Sequence, residues 1–457
     1  MTTDAPDGLP VPRRYWAVLV IILGVTMAVL DGSIANVALP TIAHELRVSA
    51  ADSVWVVNAY QLVTMVSLLA LSSLGEIVGY ARIYKIGIVI FGIASLACAL
   101  SDSLTTLILA RVLQGAGAAC IMAVNTALVR FIYPKAWLGR GMGFNAFIVA
   151  LASAVGPTVA AGILSVASWQ WIFAINVPLS VLSLVIVGSL PDVARAARRF
   201  DLVSAALTAI TFGLFITGID GLGQGLDHLP RVLAQLAVAA VCGFWLVRRQ
   251  LDEHAPLLPV DLMRIPIFAL SVSTSALSFA GQMLAYVALP FYFQNVLGRD
   301  AVETGFLMTP WPIAIMFVAP LAGRLSDRYP AGILGAIGLS IFAAGLALTA
   351  LLPAAPTNFE IVWRMVMCGA GFALFQSPNN RTMLGSAPME RTGGASGMLG
   401  TARLLGQTTG TALVALIFNL FALNGTHLAL FTAAGFAVAA GLMSSLRLTA
   451  FGRTGRV

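Results

Sequence analysis

Several ionisable residues stand inside long apolar runs, where charge is hard to keep, among them Asp31 in the run 15–40 and Arg111 in the run 104–128. On insertion scales a charge at the centre of a bilayer costs about 2.5–3.5 kcal/mol, so it persists only beside a partner or a polar cavity. A carboxylate in a cavity can hold either a proton or a passing cation. Competition between the two is the minimum chemistry of exchange. The alternative is structural, with Asp31 simply pairing with a basic neighbour such as Arg111. Arg111 in turn either tunes the acid and relays a switch, or serves as a fixed interhelical donor. At ~1.5 Å per residue Asp31 lies ~21 Å along its run and Arg111 ~10 Å along its own, depths that allow contact.

Other polar side chains fall within or at the ends of apolar runs. Asn36, Asn58, Gln61, Gln114, Gln282 and Tyr286 are costly against lipid, and each is expected either to line a central cavity or to bond between helices. Arg403 and Gln407, spaced i and i+4, share one helix face and are expected in the cavity wall of the second half. Trp55, Trp169, Trp171 and Trp311 fit positions at the membrane interface. No Ser/His/Asp spacing, H-E-x-x-H or P-loop is present, so neither an enzyme nor a nucleotide-driven pump is predicted. The four Cys sit in apolar stretches and the His residues lie singly in loops, which supports neither metal nor cofactor.

The elements that carry these residues must be membrane helices. Of 457 residues 59% are hydrophobic and 10% charged, against roughly 45–50% and about 25% in soluble domains. A soluble chain is excluded, and with it the nucleic-acid partner that a formal charge of +7 could otherwise suggest. Apolar runs of helical length predict an all-α membrane protein of 14 spans in a cell inner (plasma) membrane. With the N-terminus cytoplasmic, only Arg47, Arg231 and Arg299 of the 26 Lys and Arg fall on the far side, and Arg111, Arg364 and Arg403 fall within spans. That bias places both termini in the cytoplasm. The reading divides the chain into a tail 1–14, a six-helix bundle 15–190, two extra helices with their loops 191–250, a second bundle 251–446 and a tail 447–457.

A repeat supports the two bundles. Gly75-Glu76-Ile77-Val78-Gly79-Tyr80-Ala81-Arg82 follows the second span, and Gly323-Arg324-Leu325-Ser326-Asp327-Arg328-Tyr329-Pro330 follows the tenth. Each is a tight turn with an acid and a base. The order of these motifs, of Arg111-x-x-Gln114-Gly115-x-Gly117 and of Gly143 with Gly156-Pro157 resembles the major facilitator superfamily, and within it the 14-span drug:proton antiporter branch. So do Leu30-Asp31-Gly32-Ser33 and Trp169-Gln170-Trp171-Ile172-Phe173 followed by Asn176.

The resemblance implies a major facilitator fold and a proton-coupled exporter of lipophilic or cationic drugs, working by alternating access. Asp31 and Arg111 would couple protons to substrate. Gly75, Glu76, Gly79, Arg82, Gly323, Asp327 and Arg328 would gate, with Gly79 permitting close backbone approach. Gly143, Gly156 and Pro157 would form the antiporter motif. The runner-up is a narrower transporter of a metabolite or antibiotic. Expected partners are the small molecule, protons and the lipid bilayer.

Overall fold

A backbone amide in lipid has no water to bond, so an apolar chain must satisfy its donors and acceptors internally. Among the described residues every regular element is accordingly helical. The computed structural model describes residues 8–134, 137–193, 200–222, 228–251, 260–326, 328–388, 392–421 and 424–454. The first half comprises α1 (Arg13–Glu45), α2 (Ala50–Val78), α3 (Tyr80–Ala99), α4 (Leu104–Ile132), α5 (Leu138–Val166), and one span broken into α6 (Gln170–Ala174) and α7 (Asn176–Ile186). Next come α8 (Leu202–Gly221) and α9 (Leu229–Leu251). The second half has α10 (Pro266–Phe291), a span made of α11 (Ala301–Met308) and α12 (Pro310–Leu325), α13 (Ala331–Ala350), α14 (Asn358–Ser386), α15 (Thr392–Leu420) and α16 (Gly425–Thr454).

Thirteen segments among the described residues are long and apolar enough to cross a bilayer. The remaining expected span is α15, whose 29 residues reach about 43 Å. Arg403 and Gln407 interrupt its apolar run. The helix α16 runs on to Thr454, through most of the stretch expected as a tail, 447–457.

Four of the helices that start at the end away from the chain termini, α2, α4, α11 and α14, are capped by side chains. Ser49 accepts from the Asp52 amide at 3.0 Å and Asp300 from the Glu303 amide at 2.6 Å, while Ser103 with Thr106 and Thr357 with Glu360 form capping boxes. Each cap satisfies an amide that the first helical turn leaves free. The extra helices α8 and α9 pack on each other, with α8 also against α2 and α15. Only 22% and 17% of their apolar windows are buried, against 56% in α1 and 61% in α4, so they lie at the periphery.

Both halves use one packing device. A side chain on Gly117 of α4 would begin 2.6 Å from the Phe91 nitrogen of α3, and one on Gly115 2.6 Å from the Tyr60 carbonyl of α2. In the second half Gly371 of α14 stands 2.5 Å by the same measure from the Phe342 nitrogen of α13, and Gly369 faces the Trp311 carbonyl of α12. The spacings Gly87-x-x-x-Phe91 and Gly338-x-x-x-Phe342 also match. The α3–α4 pair therefore corresponds to α13–α14, and Tyr60 to Trp311, as a parallel repeat requires.

Small residues let these backbones touch, which makes the seam testable. A side chain on Gly338 would begin 2.6 Å from the Gly371 carbonyl, while Gly435 has nothing within 4 Å. Gly338→Val is expected to destabilise by about 1–3 kcal/mol and Gly435→Val to have little effect, read by unfolding in mixed micelles.

Candidate functional site

The broken sixth span and the four longer helices α1 to α4 converge on one carboxylate. Asp31 and Arg111 are both fully buried and form an ion pair through Arg111 Nη1 and Asp31 Oδ2. Gln114 Nε2 donates to Asp31 Oδ1 at 2.8 Å, and Asn176 Nδ2 donates to the same oxygen at 2.9 Å. Arg111 Nε donates to the Val56 carbonyl at 2.8 Å and its Nη1 also to Gln114 Oε1 at 2.5 Å. Gln114 Nε2 reaches Ser95 Oγ at 2.9 Å. A buried ion pair is tolerated when further hydrogen bonds use its remaining lone pairs and protons; here both Asp31 oxygens and Arg111 Nε and Nη1 are bonded, while Arg111 Nη2 has no partner.

The pair lies behind the cavity rather than in it. A central cavity of about 190 Å³ is lined by Gly32 and Ser33 of α1, yet neither Asp31 nor Arg111 contributes to its wall. Tyr60 divides the two spaces. Its ring lines the cavity and carries the Arg111 guanidinium 4.3 Å from its centroid, while its hydroxyl donates to the Ala28 carbonyl at 2.8 Å.

Six of the polar residues singled out in the sequence do meet at this cavity: Asn36, Gln61, Gln282, Tyr286, Arg403 and Gln407. Gln114 belongs instead to the ion-pair network. Asn58 is buried away from the cavity wall, and neither of its side-chain atoms has a hydrogen-bond partner. Ser33, Thr64 and Ser153 line the cavity without having been singled out for it, and Trp311 lies in the same wall. Trp311 and Trp169 are buried within the protein. The Trp311 ring packs edge-on to Tyr286 and Phe342, at 5.6 Å each. Its repeat relation to Tyr60 was the signal that could have placed it.

Among the described residues four hydrogen bonds join the halves, one of them from Gln61 Nε2 to Met283 Sδ at 3.7 Å. Thr158 and Thr309 hydroxyls lie 2.8 Å apart, Gln294 Nε2 donates to the Val37 carbonyl at 3.3 Å, and Thr411 Oγ1 donates to Gln61 Oε1 at 3.1 Å. Gly156 seats α5 on Ser33 of α1, and the Pro157 carbonyl lies 2.5 Å from where a side chain on Gly305 of α11 would begin. Gly143 also lies in α5. In the turn between α2 and α3 the glycines divide the work. Gly79 has φ +115°, a conformation open to glycine. Close approach belongs to Gly75, where a side chain would begin 2.6 Å from Val124. Glu76 sits in the last turn of α2, Arg82 and Arg328 are exposed, and Gly323 is in α12. Asp327 lies outside the described residues.

Near the same end as that turn, Asp201 precedes α8 and meets Arg249 of α9 at 3.2 Å. Partial burial opposes its ionisation, but the Ser204 hydroxyl and amide and the Arg249 guanidinium hold its carboxyl below the usual range. This pair ties the two extra helices together.

Comparison with known proteins follows the same geometry. The chain is 59% identical over 446 residues to the uncharacterized transporter YebQ of Escherichia coli (strain K12), covering 97% of each chain. It is 30% identical to the riboflavin transporter RibZ of Clostridioides difficile (strain 630), covering 89% of each. It is also 30% identical to the multidrug resistance protein Stp of Mycobacterium tuberculosis (strain CDC 1551 / Oshkosh), covering 86% of this chain and 73% of that one. Its fold resembles a crystal structure of a POT family transporter in complex with a thioalcohol conjugated peptide, with a TM-score of 0.71, 14% identity and coverage of 97% of each chain. The Major Facilitator Superfamily, a family of transporters and not enzymes, matches residues 21–411. A multi-pass membrane chain with this match, built from two repeated halves around one cavity, belongs to the major facilitator superfamily.

Proposed function

We propose that the chain is a proton-coupled secondary transporter that exports lipophilic small molecules by alternating access, with both termini in the cytoplasm and the 14-span drug:proton antiporters as its branch. The observation that carries this reading is the buried Asp31–Arg111 pair, one aromatic ring away from a cavity between the halves. An acid kept at such cost inside the membrane is a functional group by default. Protonating Asp31 would release Arg111, and Tyr60 would pass that change to the cavity wall. Of the two substrate chemistries expected from the sequence, the lining favours the lipophilic one. Ala28, Val29, Met122, Val149, Pro312 and Ile315 are apolar, and among the described residues no carboxylate lines the cavity to receive a cation.

The likeness to RibZ, a riboflavin transporter, favours a second reading in which a single metabolite is carried. Inverted membrane vesicles test the first reading. Extrusion of an uncharged lipophilic dye is expected to follow an imposed pH gradient, worth about 1.4 kcal/mol per unit per proton, and to stop when a protonophore collapses it. Extrusion that continues without the gradient overturns proton coupling. A competition panel in which riboflavin-like or other single metabolites alone displace the dye would favour the narrower reading.

A further inference from the structure

We infer that the preferred substrate of the cavity carries an anionic group on a compact apolar body, and that Arg403 receives that group. This rests on the transporter reading above and names the substrate class for the same site. Among the described residues that line the cavity, Arg403 alone carries a formal charge. Its Nε has no hydrogen-bond partner. A guanidinium holds five N–H donors in a fixed fork that matches the two oxygens of a carboxylate, sulfonate or phosphate.

Trp311, in the same wall, also leaves its indole Nε1 unbonded, and an indole can only donate. Among the fully buried polar atoms of the lining, these two donors stand against one acceptor without a partner, Asn36 Oδ1.

The obvious counter-ion is already engaged. Asp31 lies on the other side of Tyr60 and accepts from Arg111, Gln114 and Asn176. The ion pair behind the ring is neutral as a unit, so the cavity keeps the uncompensated positive charge of Arg403. A cation entering it meets that charge and no acid. An anion gains a partner and relieves a guanidinium held away from bulk water. Tyr60, Tyr286 and Trp311 add ring faces and edges for a planar apolar body.

The test uses three probes on one naphthalene frame, a carboxylate, its uncharged carboxamide and a trimethylammonium, bound to the purified full chain in detergent. The carboxylate is expected to bind about tenfold or more tighter than the carboxamide, the range of a charge-assisted hydrogen bond, with the trimethylammonium weakest. Arg403→Gln is expected to remove the carboxylate's advantage over the carboxamide, while Arg403→Lys keeps the charge but loses the fork and retains only part of it. A thermal unfolding transition in detergent like that of the native chain shows that the variants are folded. A carboxylate that binds no tighter than the carboxamide to the native chain overturns the inference, whatever the variants do. So does an advantage that survives Arg403→Gln. Dye extrusion that still follows the pH gradient in either case leaves the transporter reading standing. An anion preference without gradient-driven extrusion removes proton coupling and keeps the charge assignment.

Discussion

Arg111→Met is expected to destabilise the protein by about 3–5 kcal/mol, the cost of leaving a buried charge without its partner. Asp31 would keep the Gln114 and Asn176 donors but lose the only cation bonded to it among the described residues. The Tyr60 and Phe173 rings, now beneath the guanidinium at 4.3 and 5.4 Å, would lose their contact with it. The double variant Asp31→Asn with Arg111→Met is expected to recover a large part of the loss, because no charge then remains to be solvated. The repeat supports this expectation from within the molecule. The position in α14 that corresponds to Arg111 is Met365, fully buried in the second half, and the one that corresponds to Gln114 is Cys368. Denaturation in mixed micelles measures both variants. A single variant within about 1 kcal/mol of the native chain would show that the pair adds nothing to stability.

Asp31→Asn alone is expected to lower gradient-driven transport by about 100-fold, the lower range for removing a positioned proton-transfer group, while substrate binding survives. The separation follows from geometry. The carboxylate is outside the cavity wall, so its loss removes the proton site and leaves Arg403, Gln407, Gln282 and Trp311 in place. Proton release on substrate addition, followed with a pH dye in weakly buffered detergent, is expected in the native protein and absent in the variant. Retained binding with lost proton release identifies Asp31 as the coupling group. Native rates of gradient-driven extrusion in the variant would remove Asp31 from the mechanism and leave it an interhelical tie.

Much of this architecture was legible because the bilayer forces apolar runs into helices, and runs can be counted. Thirteen apolar segments and the long α15 stand where the runs placed them. Asp31 and Arg111 could be named because charge within lipid has few tolerable explanations, and their depths along their runs allowed them to meet. Which way Asp31 faces was not legible. A shift of one residue along a helix turns a side chain by about 100°, so Gly32 and Ser33 reach the cavity while Asp31 points behind it. The packing of the tryptophans was not legible for a related reason: Trp171 is exposed but Trp169 and Trp311 are buried, and composition alone does not separate an exposed ring from a core one. The glycine pairs were present in the sequence but carried no chemistry, so their role as a repeated seam emerged only once the backbones were seen to touch.

The repeat is faithful in its backbone and unfaithful in its polar core. Where α4 carries Arg111 and Gln114, α14 carries Met365 and Cys368, and the only charge in the described cavity wall, Arg403, belongs to the second half. Under the proposed mechanism the fuel is therefore read in one bundle and the cargo gripped in the other. Neither can inform its opposite number locally, and the message has to cross the seam between them as the bundles rock. Chimaeras that exchange the second bundle between relatives should then inherit a new cargo and keep the old appetite for protons.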